Sequence, residues 1–162
     1  MFRHLAVLSL LGLLAACGGQ FVESPIIDPT AEIRATDETE AITDLMEEYA
    51  EALESLDTDR IDALMSRDYY ENSGTTDTTA DDYGYATVPE MYAALRDHVE
   101  DVRVEVAVHD IIVENDRADV LFEYSFTMLY MIGEESRWET DRDVNRIQLR
   151  REDTGWRIVS GL

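Results

Sequence analysis

The sequence predicts an α+β fold: three N-terminal helices packed on a curved antiparallel sheet of about four strands. Two observations carry this. Apolar residues recur at three- and four-residue steps up to about residue 102 and at two-residue steps from there on. Turn signals then divide the second half into a meander, and a run of helices followed by a run of strands is an α+β layout. The length of 162 residues suits one domain, and a hydrophobic content of 45% is enough for one core.

The first helix begins at Asp37, where Glu40 three positions on gives an N-cap signature. Its stripe is Ile42, Leu45, Met46, Tyr49, Leu53 and Leu56, and Glu47, Glu48, Glu51 and Glu54 form the solvated face. Asp57-Thr58-Asp59 ends it and starts a short second helix with Ile61, Leu64 and Met65 inward. Residues 71–87 have turn composition and no period, so they predict a long loop. Thr87 and Glu90 form a second capping box ahead of a third helix, whose stripe is Val88, Met91, Tyr92, Leu95, Val99 and Val102. Pro89 falls in its first turn, where no hydrogen bond is lost.

Val102, Val104, Val106 and Val108 then alternate with Arg103, Glu105, Ala107 and His109, the pattern of a half-buried strand. The phase shifts to Ile111 and Val113, which predicts a bulge near Asp110. After an Asn115-Asp116 turn, Val120, Phe122, Tyr124, Phe126, Met128 and Tyr130 form one face of a long strand. Gly133 turns the chain, Arg137–Arg151 is the third strand, and Trp156–Ser160 closes the sheet after Asp153-Thr154-Gly155.

The amino end reads as an address. Met1-Phe2-Arg3-His4 is a short basic start, and Leu5–Leu14 is an apolar run too short for a bilayer, which needs about 20 residues. It ends in Leu14-Ala15-Ala16-Cys17, which resembles a bacterial lipobox; the alternative is an ordinary secretory signal with a chance Cys. Cys17 is the only cysteine, so no internal disulfide or multi-thiolate metal site can form. The expectations are a lipoprotein signal peptide over 1–16, acylation of Cys17 by membrane lipid, and a flexible tether to residue 36. Gly18 after the cysteine resembles an outer-membrane rather than inner-membrane sorting signal, which places the domain in the bacterial cell envelope.

Charge excludes one class of partner. With 36 acidic residues against 13 basic ones, the formal charge is −23, and no basic patch is available to displace counterions from nucleic acid. All the basic residues are Arg.

The order of elements over 37–162 resembles the nuclear transport factor two-like superfamily with its SnoaL-like members, a cone-shaped, cystatin-like fold. The likeness rests on the first helix running into Leu56-Asp57-Thr58-Asp59, on Leu64-Met65-Ser66-Arg67-Asp68-Tyr69, and on the ending Arg151-Glu152-Asp153-Thr154-Gly155-Trp156-Arg157-Ile158. The resemblance implies a conical cavity. It does not imply a reaction, because isomerases, dehydratases, cyclases, binders and interaction modules share this fold.

Read directly, Asp141, Asp143 and Asn145 are in phase with Ile147 and Leu149, so Asp143 is a candidate general base with Asn145 or Tyr124 as hydrogen-bond donor. His98 and His109 are candidate proton-relay partners. A solvated strand end and structural histidines account for the same residues and are the favoured reading. Asp77, Asp81 and Asp82, with Thr79 between them, offer oxygens to calcium, although Asp82 stands where an EF-hand has Gly. Tyr69, Tyr70, Tyr83 and Tyr85 around that loop predict a lid or a packed mouth. Tyr49, Tyr92, Phe122, Tyr124, Phe126 and Tyr130 favour a filled or apolar cavity with a small apolar ligand and no cofactor. Leu121, Leu129, Met131 and Trp138 mark an outer sheet face suited to a homodimer. The expected function is therefore a lipid-anchored binding or interaction domain, with a proton-transfer enzyme as the alternative.

Overall fold

The computed structural model describes residues 20–73, 77–132 and 135–162. The expected signal peptide, Cys17 and the turn expected at Gly133 lie outside the described residues. Three helices, α1 (Asp37–Glu54), α2 (Thr58–Leu64) and α3 (Thr87–Arg96), precede the main sheet. A short hairpin of β1 (Tyr70–Glu71) and β2 (Tyr83–Gly84) lies between α2 and α3. The main sheet is a four-stranded antiparallel meander in the order β3 (Val99–Glu114), β4 (Arg117–Ile132), β5 (Glu135–Glu152) and β6 (Gly155–Ser160). No described helix is long and apolar enough to cross a membrane.

The α1 stripe is buried as its period requires, with Ile42 and Met46 wholly enclosed. The helix starts at Asp37 as expected, but its N-cap differs by one residue from the sequence expectation. Thr36, not Asp37, is the N-cap: its hydroxyl accepts from Thr39 N–H (3.1 Å), and the Thr39 hydroxyl accepts from Thr36 N–H (2.9 Å). A Thr36→Ala variant is expected to lose about 1 kcal/mol of stability in urea titration. An unchanged midpoint would show that the cap contributes nothing. The α3 expectation also changes, since Ala86 precedes the helix and makes no side-chain cap, and Thr87 already lies inside the first turn. Three of the glutamates on the expected solvated face have partners, Glu47 accepting from the Ser24 hydroxyl of the preceding segment. Glu48 and Glu51 both accept from Arg60 of α2 (2.6 and 2.8 Å), which ties the two helices together.

In the sheet, the β3–β4 register slips between Val108 and Asp110, so the bulge falls at His109, where the change of phase had placed it. Val108, Val120, Phe122, Ile147, Leu149 and Ile158 form the floor of the core, and α1 covers them. Met65 and Ser66 cover the free edge of β6 through a parallel bridge to Ile158 and the Ser66 N–H to Ile158 carbonyl bond (2.8 Å). Ser66 also donates to Glu152 (2.7 Å), and Arg150 donates to the same carboxylate (2.8 Å).

The largest departure from the sequence reading is the segment expected to be a flexible tether. Residues 20–36 form a strap folded against the domain. Phe21 bridges Arg34, the Asp28 N–H donates to the Val108 carbonyl (2.9 Å), and the Val108 N–H donates to the Ile26 carbonyl (2.7 Å). Ile33 is buried, and Val22, Ile26, Ile27 and Ala31 pack on the core. Pro25 and Pro29 do not free this chain. They shape bends between apolar residues that gain by burial.

Candidate functional site

Between the concave face of the sheet and the helices lies a cavity of about 290 Å3. Tyr49 and Leu53 reach it from α1 and Tyr92 from α3. Val104 and Val106 line it from β3, and Phe122, Tyr124 and Phe126 from β4. Asp141 and Asn145 of β5 and the side chain of Leu162 complete the lining. Alternation puts this set together, because residues two apart on each long strand face the same side. The walls are thus apolar and aromatic, with phenol groups inside and one carboxylate among the lining residues.

Burial governs the phenols. Tyr49 is held well above the usual phenol range by desolvation, with the Tyr92 hydroxyl as the next cause. Burial pushes Tyr92 up to about 12, and its hydrogen bond with Tyr49 works the other way. A phenol whose folded pKa exceeds its unfolded value of about 10 stabilises the fold below that pH. The contribution is lost as pH rises from there through the folded value. Ultraviolet titration is therefore expected to leave Tyr49 and Tyr92 neutral above the ordinary phenol range until the chain unfolds in alkali. Tyr92→Phe should move that alkaline unfolding upward. Reversible ionisation of all eight tyrosines near pH 10 without loss of circular dichroism would contradict this.

The candidate residues are distributed unevenly around the cavity. Asn145 lines it, but its amide is engaged: Nδ2 donates to the Gly161 carbonyl (3.2 Å) and Oδ1 accepts from Arg146 N–H (2.7 Å). Tyr124 lines it, and its hydroxyl lies 3.4 Å from Asp141 Oδ2, the outer limit of a hydrogen bond. Asp143 pairs with Tyr124 in strand register, yet it is exposed, is not among the lining residues and accepts from Val144 N–H (2.8 Å). The carboxylate at the cavity is thus Asp141, two residues from the candidate on the same face of β5.

Neither histidine reaches the cavity. His98 follows the end of α3, is exposed, and has Nδ1 2.8 Å from the Ala94 carbonyl oxygen. His109 sits at the β3 bulge with Nδ1 3.7 Å from Asp28 of the strap. The acidic loop does not gather as a calcium site would. Asp82 accepts from the Tyr70 hydroxyl and the Asp81 carbonyl accepts from Ser73 (2.8 Å). Among the described residues, no three carboxylates or histidines converge on a point that would hold a metal, so Asp77, Asp81 and Asp82 make no such cluster. Of the tyrosines around the loop, Tyr69, Tyr83 and Tyr85 pack, whereas Tyr70 is exposed. Tyr69 is buried with its ring 6.2 Å from that of Tyr83, and the Tyr85 hydroxyl donates to Asp62.

On the opposite face of the sheet, Leu129 is register partner to Trp138, and Met131 and Trp138 are 40% and 45% exposed. The Arg103 guanidinium stacks 4.9 Å from the Trp138 ring. Val144 and Ile112, at 52% and 51%, add apolar surface that the sequence reading passed over. Leu162, which sequence reasoning also missed, carries no period or motif that would have flagged it.

The fold is shared with solved structures. An NTF2-like protein of Salmonella enterica superposes with a TM-score of 0.59 at 18% identity, covering 74% of this chain and 84% of that one. A Streptomyces avermitilis protein, proposed to be a dehydratase of the NTF2-like family, gives 0.60 at 18% identity over 76% and 93%. A Novosphingobium aromaticivorans protein, proposed to be an aromatic ring hydroxylase, gives 0.62 at 20% identity over 77% and 86%. At these identities the likeness speaks for the NTF2-like α+β fold alone. No curated protein matches the chain. The SnoaL-like domain model matches residues 42–161, from the α1 stripe to the tail beyond β6, and the chain therefore belongs to the SnoaL-like domain family.

Proposed function

We propose that this protein binds a small, neutral, apolar or aromatic molecule in its cone and performs no chemistry on it. The observation that carries this is the composition of the cavity. It measures about 290 Å3, the low end for a ligand pocket, and is walled by valines, phenylalanines and buried phenols. An anion would meet no cationic side chain among the lining residues and only the Asp141 carboxylate, whereas an apolar ring gains by leaving water. Isothermal titration calorimetry with 2-naphthol is expected to show saturable binding with a negative heat-capacity change. Val106→Phe, which fills the cone, should weaken that binding at least about tenfold while the protein stays folded. Absence of binding by the native protein would end the reading.

One contact favours proton transfer as the alternative: the Tyr124 hydroxyl 3.4 Å from Asp141 at the cavity. Turnover lost in Asp141→Asn would carry that reading. The residues first suggested for it, Asp143, His98 and His109, do not line the cavity.

We further propose that acylated Cys17 holds the domain in the bacterial envelope, on the outer membrane. Two or three acyl chains anchor a protein firmly where one does not. Mass spectrometry of the membrane-extracted protein should find the acyl groups on Cys17, and an unmodified thiol would exclude the anchor. The exposed Trp138–Met131 face supports self-association through the sheet, which gel filtration of a Trp138→Arg variant would test.

A further inference from the structure

Resting on the ligand-binding reading above, we propose that Leu162 is a stopper that sets the length of ligand the cone accepts. Leu162 lines three spaces at once and packs as a partly buried apolar residue against the core. One is the cone, and the second is an apolar chamber of about 260 Å3 under α3, with Val88, Met91 and Leu95. The third is a polar groove of about 690 Å3 beside β5, with Glu71, Arg146 and Gln148. Among the residues lining these spaces, Leu162 is the one common to all three. Its isobutyl group is thus part of the wall between an apolar interior and a polar surface groove.

The wall is built so that the backbone, not the leucine, fixes its position. Leu162 N–H donates to the Tyr69 hydroxyl (3.0 Å) and its carbonyl accepts from the Tyr83 hydroxyl (2.7 Å). Gly161 N–H donates to Glu71 (2.7 Å), and its carbonyl accepts from the Asn145 amide (3.2 Å). Gly161 has φ +98°, and a Cβ there would fall 2.2 Å from the Arg146 carbonyl oxygen, so only glycine lets the tail lie this close to β5. Four polar contacts therefore hold the tail whatever side chain stands at position 162. Size at that position sets how far a ligand extends. With leucine, the cone takes a short molecule. With a smaller residue, the cone, the chamber and the groove join into a channel suited to an elongated amphipathic molecule, an apolar body ending in an uncharged polar group.

The test is calorimetric titration of the full-length protein and of Leu162→Ala with phenylalkanols of increasing chain length. Affinity should rise about fourfold per methylene up to a limit. That limit should lie at a longer chain in Leu162→Ala, with the longest alcohols gaining on the order of tenfold over the native protein. Leu162→Phe should shorten the limit, and Gly161→Ala, which pushes the tail off β5, should lengthen it with the leucine intact. These two variants decide the matter if circular dichroism shows Leu162→Ala unfolded. Binding by Leu162→Ala alone would end the binding reading for the native protein and, with it, the stopper. The same limit in all folded variants overturns it while leaving the cone a binding site. No binding by any of them overturns both readings.

Discussion

Phe122→Ala should cost the fold about 3–5 kcal/mol and lower the melting temperature by roughly 10 °C or more. Phe122 is 2% exposed in the middle of β4, with Val108 and Asn145 as its cross-strand partners. Its ring stands 6.3 Å from that of Tyr124, tilted by 42°. Removing it takes away most of an aromatic side chain's buried area and leaves a void that the strands cannot close. The same ring is a wall of the cone, so the variant that survives folding should bind larger rings than the native protein. Val144→Ala is the control: on the outer face at 52% exposure, it should stay within about 0.5 kcal/mol. A loss of under about 1 kcal/mol for Phe122→Ala, or equal losses for both, would mean that the core does not centre on β4.

Ile33→Ala should release the strap. Ile33 is 5% exposed and is the residue by which residues 20–36 enter the core. A buried Ile→Ala change costs about 2–5 kcal/mol. Here the loss is capped by the docking energy of the strap, which can leave as a local unit while the sheet stays folded. Trypsin provides the readout. Arg34 is exposed, but its neighbours are tied down by the Val22 N–H to Ile33 carbonyl and Ala35 N–H to Gln20 carbonyl bonds (2.8 and 2.7 Å). Cleavage after Arg34 should be slow in the native protein and at least about tenfold faster in Ile33→Ala. Equal rates would mean that the strap is already loose.

Periodicity made the helices and the sheet legible because burial on one face imposes it: the α1 stripe and the inward residues of β4 follow directly from alternation. The strap was not legible, because Phe21, Val22, Ile26, Ile27, Ala31 and Ile33 follow no single period. They lie on a bent chain, and only the surface they meet decides which of them are buried. The cap of α1 was misplaced by a residue because Thr36 and Asp37 stand side by side and geometry alone selects between them, and at α3 the helix begins at Thr87 itself, behind an Ala86 that has no capping side chain. In the cavity, strand phase correctly put Asn145, Ile147 and Leu149 on one face. It could not say that Asp143, between Asn145 and Asp141 on the same strand face, accepts from the Val144 N–H and stays out of the lining. His98 and His109 border apolar stripes, yet the end of α3 and the bulge of β3 turn both away from the cone. Leu162 gains its place from the turn at Gly161 and from contacts with residues about 80 to 90 positions earlier, which no local pattern encodes.

The central claim, that the cone is an open apolar site, is tested most directly by solution NMR of methyl-labelled protein with 2-naphthol. Intermolecular Overhauser effects are expected from the naphthol ring to the Val104 and Val106 methyls in the cavity, with none to Ile112 on the outer face. Contacts confined to Ile112 and its neighbours, or none at all, would contradict the account.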